Sequence, residues 1–293
     1  MHDTRLPDAA DVLVVVGDLV EDVVVWSPGP VRYATDNPAT IHRSRGGSAA
    51  NVAAFAAPLV RTRFLGSVGP DALGDALVAE LTGRGVDVRV QRHGRTGSIV
   101  VLVDGKGERT MYPDRAAAGE LTEVSAGWLE SARILHAPSY NFACEPAASA
   151  TANLLIRAGA AGVHVSLDAS STGMLEEYGV ARYLELLETV RPAVFFANAR
   201  EAELLDVGRP QFARTLTVVK DGPRPTTVLV PGAAAFSVPV PPVPDVRDST
   251  GAGDAFAAGF LASRLRGADP AAATRAGHAL ARSVLLSPGA NSM

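Results

Sequence analysis

The sequence predicts a three-layer α/β/α sandwich, with a mostly parallel central sheet and a small β-sheet attached to it. Three observations carry that expectation. Short apolar runs closed by a small or polar residue recur as VLVVVG (12–17), TRFLGSVG (62–69), RILHA (133–137), VHVSLD (163–168) and AVFFA (193–197), the pattern of strands buried on both faces. Segments with helical spacing alternate with them in the C-terminal half: 145–159, 180–190 and 198–205. Strand and helix in turn give a parallel sheet with crossover helices on both faces. The third observation is a set of strand-like stretches more mixed in polarity, DVVVW (22–26), TIHRS (40–44), TGSIVVLVD (96–104) and ERTMYP (108–113), which need a home outside the central layer.

The remaining elements follow in order. SPGP (27–30) marks a turn between the first two of those stretches, and GKG (105–107) a hairpin turn between the last two. SAANVAAFA (48–56) reads as a helix of small residues, and DALGDALVAELTGRG (71–85) as a helix closed by glycine. TLTVVK (215–220), TTVLV (226–230) and AFSVPV (235–240) add strands, and two helices at 252–266 and 270–286 close the chain. With no Pro/Gly/Ser-rich linker and no internal repeat, the chain is expected to be one domain over 1–293. The small sheet forms a discontinuous lid from about 19–45 and 95–115.

Bulk properties exclude several classes of function. The 293 residues suffice for a full core, and 47% hydrophobic with 20% charged residues is an ordered globular composition. A formal net charge of −4 offers no basic field for a nucleic acid backbone. The single cysteine, Cys144, excludes an internal disulfide and a thiolate metal cluster. No apolar run reaches the length of a membrane span, and MHDTRLPDAAD lacks the layout of a signal peptide, so a cytoplasmic protein is expected.

In such a sheet, ligands sit beyond the carboxyl ends of the strands. Four segments fall there. In DSTGAGDAFAAGF (248–260), Gly251 and Gly253 free the backbone to turn its N–H groups on an anion, and the helix that follows adds unpaired donors and a positive dipole end. Asp254, in the first turn, then suits a general base; the plainer alternative is a helix cap after a tight turn. In RGGSAANVAAF (45–55), Gly46 and Gly47 allow close backbone approach, while Asn51 offers the donor and acceptor a polyol needs; a turn before a packing helix fits as well. Asp22, in GDLVED (17–22), is a carboxylate able to take two hydroxyls at once, or a solvated surface acid. In NAREAELL (198–205), Asn198 and Glu201 have capping-box spacing, or stand near phosphates with Glu201 holding waters of a Mg²⁺ ion.

As an ordered set these segments resemble the ribokinase-like (PfkB) carbohydrate kinases: GD…D, GGSAANVA, LGSVGPDALGDAL, TGSIVVLVD…GERT, NARE and DSTGAGDAFAAGF span essentially the whole chain. The resemblance implies a ribokinase-like fold and an ATP-dependent kinase acting on a hydroxyl, a primary one, of a small sugar or sugar acid. Asp254 corresponds to the base, and the N–H groups of Gly251, Ala252 and Gly253 to the anion hole. Asp22, Gly46, Gly47 and Asn51 match sugar-contacting positions. Asn198 and Glu201 match the Mg·ATP motif, while Lys220 and Gly222 match the nucleotide-side strand end. Asp248 and Thr250, with PGAN (288–291), match a potassium site. A homodimer joined through the lid is also implied.

The chain departs from the pattern at Ser48, where ribokinases carry a lysine, and at LDASSTG (167–173), which lacks the usual Pro-Asn. Two alternatives stay open. One is a nucleoside kinase of the same family, using Trp26 and Tyr33 against a base. The other is a non-catalytic sugar-binding regulator on this fold. His136, ending an apolar strand, is expected to be a packed and satisfied histidine.

Overall fold

Val12, Val14 and Val16 point to one side of the first strand and Leu13 and Val15 to the other, and this alternation divides the molecule into two cores. That strand, β1 (Val12–Val16), is completely buried in a computed structural model describing residues 11–105, 108–244, 246 and 249–286. Its parallel neighbours are β4 (Thr62–Val68) and β8 (Ala132–Pro138). Beyond β4 lies the parallel edge strand β5 (Asp87–Arg92). Beyond β8 follow β9 (His164–Asp168), β10 (Val194–Asn198) and β11 (Leu216–Asp221), all parallel. The antiparallel strands β12 (Arg224–Leu229) and β13 (Phe236–Val238) complete the nine-stranded sheet.

The chain winds outward from β1 in both directions, so the order reverses there and a crevice opens beyond the carboxyl ends of β1 and β8. One face of the sheet is covered by α1 (Ser48–Ala56), α2 (Ala72–Gly83), α7 (Ala252–Leu265) and α8 (Pro270–Leu285), packed on Leu13, Val15, Phe64, Phe196 and Val218. The other is covered by α3 (Ala147–Ala160), α4 (Thr172–Tyr178), α5 (Val180–Val190) and α6 (Ala199–Leu205), packed on Val14, Leu135, Leu167 and Phe195. Three layers result, as the alternation of elements predicts.

The pair α7 and α8 is the closest helix packing in the molecule's first layer, and glycine permits it. A Cβ at Gly259 would meet the Ala276 carbonyl oxygen at 2.7 Å, and one at Gly277 would meet the Phe256 ring at 2.9 Å. The small residues of α1 let it pack against α7 as well, so the first turns of α1 and α7 face each other at the mouth of the crevice.

The strands of mixed polarity form a separate four-stranded sheet: β3 (Thr40–Gly46), β2 (Val20–Trp26), β6 (Thr96–Val103) and β7 (Arg109–Ala116). β2 begins at Val20, earlier than DVVVW suggests, because Val20 pairs with Gly46 where β3 hands over to α1. Trp26, Ile41, Met111 and Tyr112 leave apolar surface on this sheet.

Two elements escape the sequence reading. β5 is one; its Val88 and Val90 alternate with charged and polar residues, the mark of an edge strand with one covered face. The other is α4, whose Thr-Gly start gives little helical signal. His136 is packed and wholly buried, but it is satisfied on one side only. Nδ1 lies 3.0 Å from Ser166 Oγ, whereas Nε2 has no hydrogen-bond partner among the described residues. Burial pulls its pKa down to about 4, so the ring is neutral. Among the described residues no helix is long and apolar enough to cross a membrane.

Because Gly277 leaves no room for a side chain against Phe256, Gly277→Val is expected to cost about 1–3 kcal/mol of stability through overpacking. Urea unfolding checks this; an unchanged midpoint would contradict the close α7–α8 crossing.

Candidate active site

Gly251 adopts the left-handed conformation (φ 75°, ψ 0°), which turns the chain directly into α7 and places Asp254 in the helix's first turn. Asp254 is not the helix cap: no side chain caps this terminus. Its carboxylate instead faces α1. Ser48 Oγ donates to Asp254 Oδ1 at 2.6 Å, and Asn51 Nδ2 donates to Oδ2 at 2.9 Å. Burial raises the Asp254 pKa; the bonds from Ser48 and Asn51 pull it back, Asp168 pushes it up, and Lys220 lowers it. The side chain is half-buried, so it keeps access to the crevice.

Asn51 could present either end of its amide to a carboxylate, and Arg45 decides which. The Arg45 guanidinium is fully buried, has only donors, and gives Nη1–H to Asn51 Oδ1 at 2.7 Å. The Asn51 NH₂ must then face Asp254. Arg45 in turn lies 3.4 Å from Glu80 of α2. Sequence reading assigns Asn51 to the sugar; here both ends of its amide already hold protein groups.

The glycines of this loop are required sterically. A Cβ on Gly46 would collide with the Asp22 carboxylate, and one on Gly47 (φ 96°) with the Asp18 carbonyl. Asp22, on β2, is thereby pressed against the loop. Burial raises its pKa to about 6, with Arg45 opposing and Asp254 adding to the rise. Asp18 is committed elsewhere, to an ion pair with Arg115 of β7, whose guanidinium also lies 5.4 Å over the Tyr140 ring. This pair ties β7 to the end of β1.

At the other end of the crevice, Asn198 and Glu201 form a complete capping box on α6. Asn198 Oδ1 accepts from the Glu201 N–H at 3.0 Å, and Glu201 Oε2 accepts from the Asn198 N–H at 2.7 Å. Glu201 Oε1 also accepts from Asn198 Nδ2 at 2.6 Å. The capping alternative is therefore realised in full. Burial and then Asp168 raise the Glu201 pKa.

Between these ends stands a pair that sequence reading did not join. Lys220 Nζ donates to Asp168 Oδ2 at 2.9 Å. Strand alternation explains it: Val165 and Leu167 face one layer, so Asp168 faces the α7 layer, as Lys220 does after Leu216 and Val218. Lys220 approaches the rings of Phe196 and Phe256 (5.8 and 6.0 Å) and lies 3.6 Å from where a Gly253 Cβ would stand. Gly222, at φ 58°, turns β11 into β12 with open space around it.

Of the three N–H groups expected to form an anion hole, that of Ala252 is already donated to Ser249 O at 3.2 Å. Those of Gly251 and Gly253 make no backbone hydrogen bond among the described residues. For the cations, no cluster of three or more His, Cys, Asp or Glu able to hold a metal exists among the described residues. Glu201 and Asp168 thus fit Mg²⁺ only as a negative environment for a hydrated ion. Asp248 and 288–291 lie outside the described residues, while Thr250 is described and its hydroxyl oxygen is buried.

Ser48, Arg45 and Asp168 are the residues that sequence reading left without a role. Asp168 carried a signal, as a carboxylate closing a buried strand. Ser48 carried none, since its partner Asp254 stands 206 residues away, and Arg45 none, since its burial against Asn51 and Glu80 is set by the fold.

The pfkB family carbohydrate kinase profile matches residues 10–293. The chain is 35% identical over 244 residues, 78% of its length and 75% of the relative's, to the ATP-dependent ribose-1-phosphate kinase of Halopiger xanaduensis. Its fold superposes on the adenosine kinase of Sinorhizobium meliloti with TM-score 0.83 at 25% identity, covering 97% and 96% of the two chains. A Xylella fastidiosa fructokinase with bound ATP superposes with TM-score 0.80 at 25% identity, over 95% and 93%.

Two expected outcomes follow from the site. Loss of the Ser48 hydroxyl removes a bond that favours ionised Asp254, so Ser48→Ala is expected to move the acid limb of activity to higher pH with a few-fold loss of kcat; pH–rate profiles check this. Asp22 carries a folded pKa above its unfolded value of about 4. Its charge therefore costs nothing below about pH 4, costs progressively more through pH 6, and the full amount above. Asp22→Asn is expected to stabilise the fold at pH 7.5 by on the order of 2 kcal/mol and not at pH 3.5, measured by denaturant titration.

Proposed function

Because the chain belongs to the pfkB family of carbohydrate kinases, we propose that it transfers the γ-phosphoryl group of ATP to a hydroxyl, a primary one, of a small sugar or sugar acid. The single observation that carries this reading is the Asp254 carboxylate, held by Ser48 and Asn51 beside the left-handed glycine turn that opens α7.

The residues divide the work as follows. The acceptor lies between the small sheet and the loop 45–51, where Asp22 accepts its hydroxyls against the backbone of Gly46 and Gly47. The reacting hydroxyl displaces Ser48 or shares its oxygen on Asp254, which takes the proton as the acceptor oxygen bonds to phosphorus. The bond from phosphorus to the bridging oxygen breaks, and ADP leaves with that electron pair. Gly251 and Gly253 offer backbone N–H groups to the transferred phosphoryl oxygens, with the dipole of α7 behind them. Ala252 joins them on release from Ser249. Phosphoryl transfer asks mainly for alignment and charge stabilisation, which this arrangement supplies.

Asn198, Glu201, Lys220 and Gly222 border the nucleotide side. Hydrated Mg²⁺ near Glu201 would neutralise phosphate charge there, and K⁺ near Thr250 and Asp248 would add to the field at the turn. The four-stranded sheet serves as a lid that excludes water from the transfer, within a single domain. Its exposed apolar residues Trp26, Ile41, Met111 and Tyr112 suit pairing with a second copy. The kinase acts in the cytoplasm.

A panel of ribose, ribose 1-phosphate, fructose, ketodeoxygluconate, adenosine and pseudouridine with ATP and Mg²⁺, with and without K⁺, identifies the acceptor. It separates a sugar kinase from a nucleoside kinase; a regulator would turn over none of them. Asp254→Asn is expected to lower kcat by roughly 10³ with ATP affinity nearly intact. A variant keeping most of the wild-type kcat would remove the base from this scheme.

A further inference from the structure

The crevice holds a positive charge in a place that nucleotide binding alone does not explain. Lys220 is next to last in β11, yet its side chain runs back toward the turn that opens α7, stopping 3.6 Å from the point where Gly253 would carry a Cβ. It is enclosed there. Its side chain is only 19% exposed, it sits near the faces of Phe196 and Phe256, and Asp168 holds its ammonium at 2.9 Å. Burial disfavours the charge, but Asp168, Glu201 and Asp254 together outweigh it and hold the pKa above the ordinary lysine value. The ammonium therefore does not act as a proton carrier at neutral pH.

A lysine needed only to neutralise Asp168 would be an expensive device, since two apolar residues of like volume stabilise a buried site equally well. The location of the charge is the informative part. Asp254 and the Gly251–Gly253 backbone bound the space through which a phosphoryl group must pass, and Lys220 stands at the same turn. An ammonium has three donors, and the bond to Asp168 uses one. Negative charge develops on the moving phosphoryl and leaving oxygens, so a pre-placed cation acts most strongly in the transition state.

We propose that Lys220 is a catalytic cation contacting the phosphoryl group in transfer, and that Asp168 is the positioning residue that holds its ammonium at the glycine turn. The proposal rests on the kinase reading above and goes beyond it, by moving Lys220 from nucleotide binding to the chemical step. Lys220 keeps its proton throughout; only its electrostatic contact strengthens as charge builds. Arginine at this position would supply charge but not the compact fit.

Removing Lys220 alone strands the Asp168 carboxylate, so the test uses the charge-neutral double variant Asp168→Asn/Lys220→Gln, with Lys220→Ala and Lys220→Arg beside it; thermal melting establishes that each is folded. With the acceptor that the wild-type enzyme turns over fastest, the double variant is expected to lose at least 100-fold in kcat. Its acceptor KM and its ADP affinity by calorimetry should stay within about threefold, the split expected of a transition-state contact. Lys220→Arg should recover about tenfold of the loss, and ethylamine should restore part of the activity of Lys220→Ala. A double variant within threefold of wild-type kcat, or one losing ADP affinity in proportion to kcat, would overturn the assignment while leaving the kinase reading intact. A wild-type protein that phosphorylates no acceptor would overturn both.

Discussion

The site depends on one constraint: a carboxylate in the first turn of α7 must be held by Ser48 and Asn51 of α1, more than two hundred residues earlier in the chain. Ser48 and Asn51 reach Asp254 only because the two helices lie close enough for their first turns to meet. That closeness comes from composition. α1 is built of alanine, serine, asparagine and valine around one phenylalanine, and α7 is flanked on its other side by the glycine crossing with α8. Larger residues in either place would strengthen the core and separate the two helix starts that meet at Asp254.

Electrostatics reinforces this arrangement and also strains it. Asp22, Asp168, Glu201 and Asp254 all line one crevice, and burial raises the pKa of three of them, Asp22, Glu201 and Asp254. Arg45 and Lys220 are the buried cations set among them. A fold selected for stability alone would not gather four acids beyond the ends of its central strands. The crevice instead suits guests that bring positive charge and many hydroxyls, such as a hydrated divalent ion together with a polyol.

Much of this was legible in the sequence, because it rests on local signals. β1, α1, α5 and the capping of α6 are governed by residues within a few positions of each other, and the structure follows them closely. The glycine turn that opens α7, with Asp254 in its first turn, was legible as local geometry for the same reason. What escaped was contact between distant segments. Arg45 orients the Asn51 amide, yet nothing in RGGSAAN shows that an acid waits 203 residues on. Asp168 ends β9 and Lys220 is next to last in β11, but only the parallel register, which sets Phe196 opposite Asp168 and Asn198 opposite Lys220, brings them within a hydrogen bond. β5 was missed through weak amphipathy on a sheet edge, a reading that hydrophobic content alone does not reward.

The handover from β3 to α1 has a mechanical consequence. Gly46 is the last paired residue of β3 in the four-stranded sheet, and Ser48, two positions later, already grips Asp254. Between them lies one glycine with a backbone that most residues resist. Any tilt of that sheet must therefore be transmitted to Ser48 along a link too short to absorb it. The pitch of the small sheet and the hydrogen bond that Asp254 accepts from Ser48 are in this way geared together.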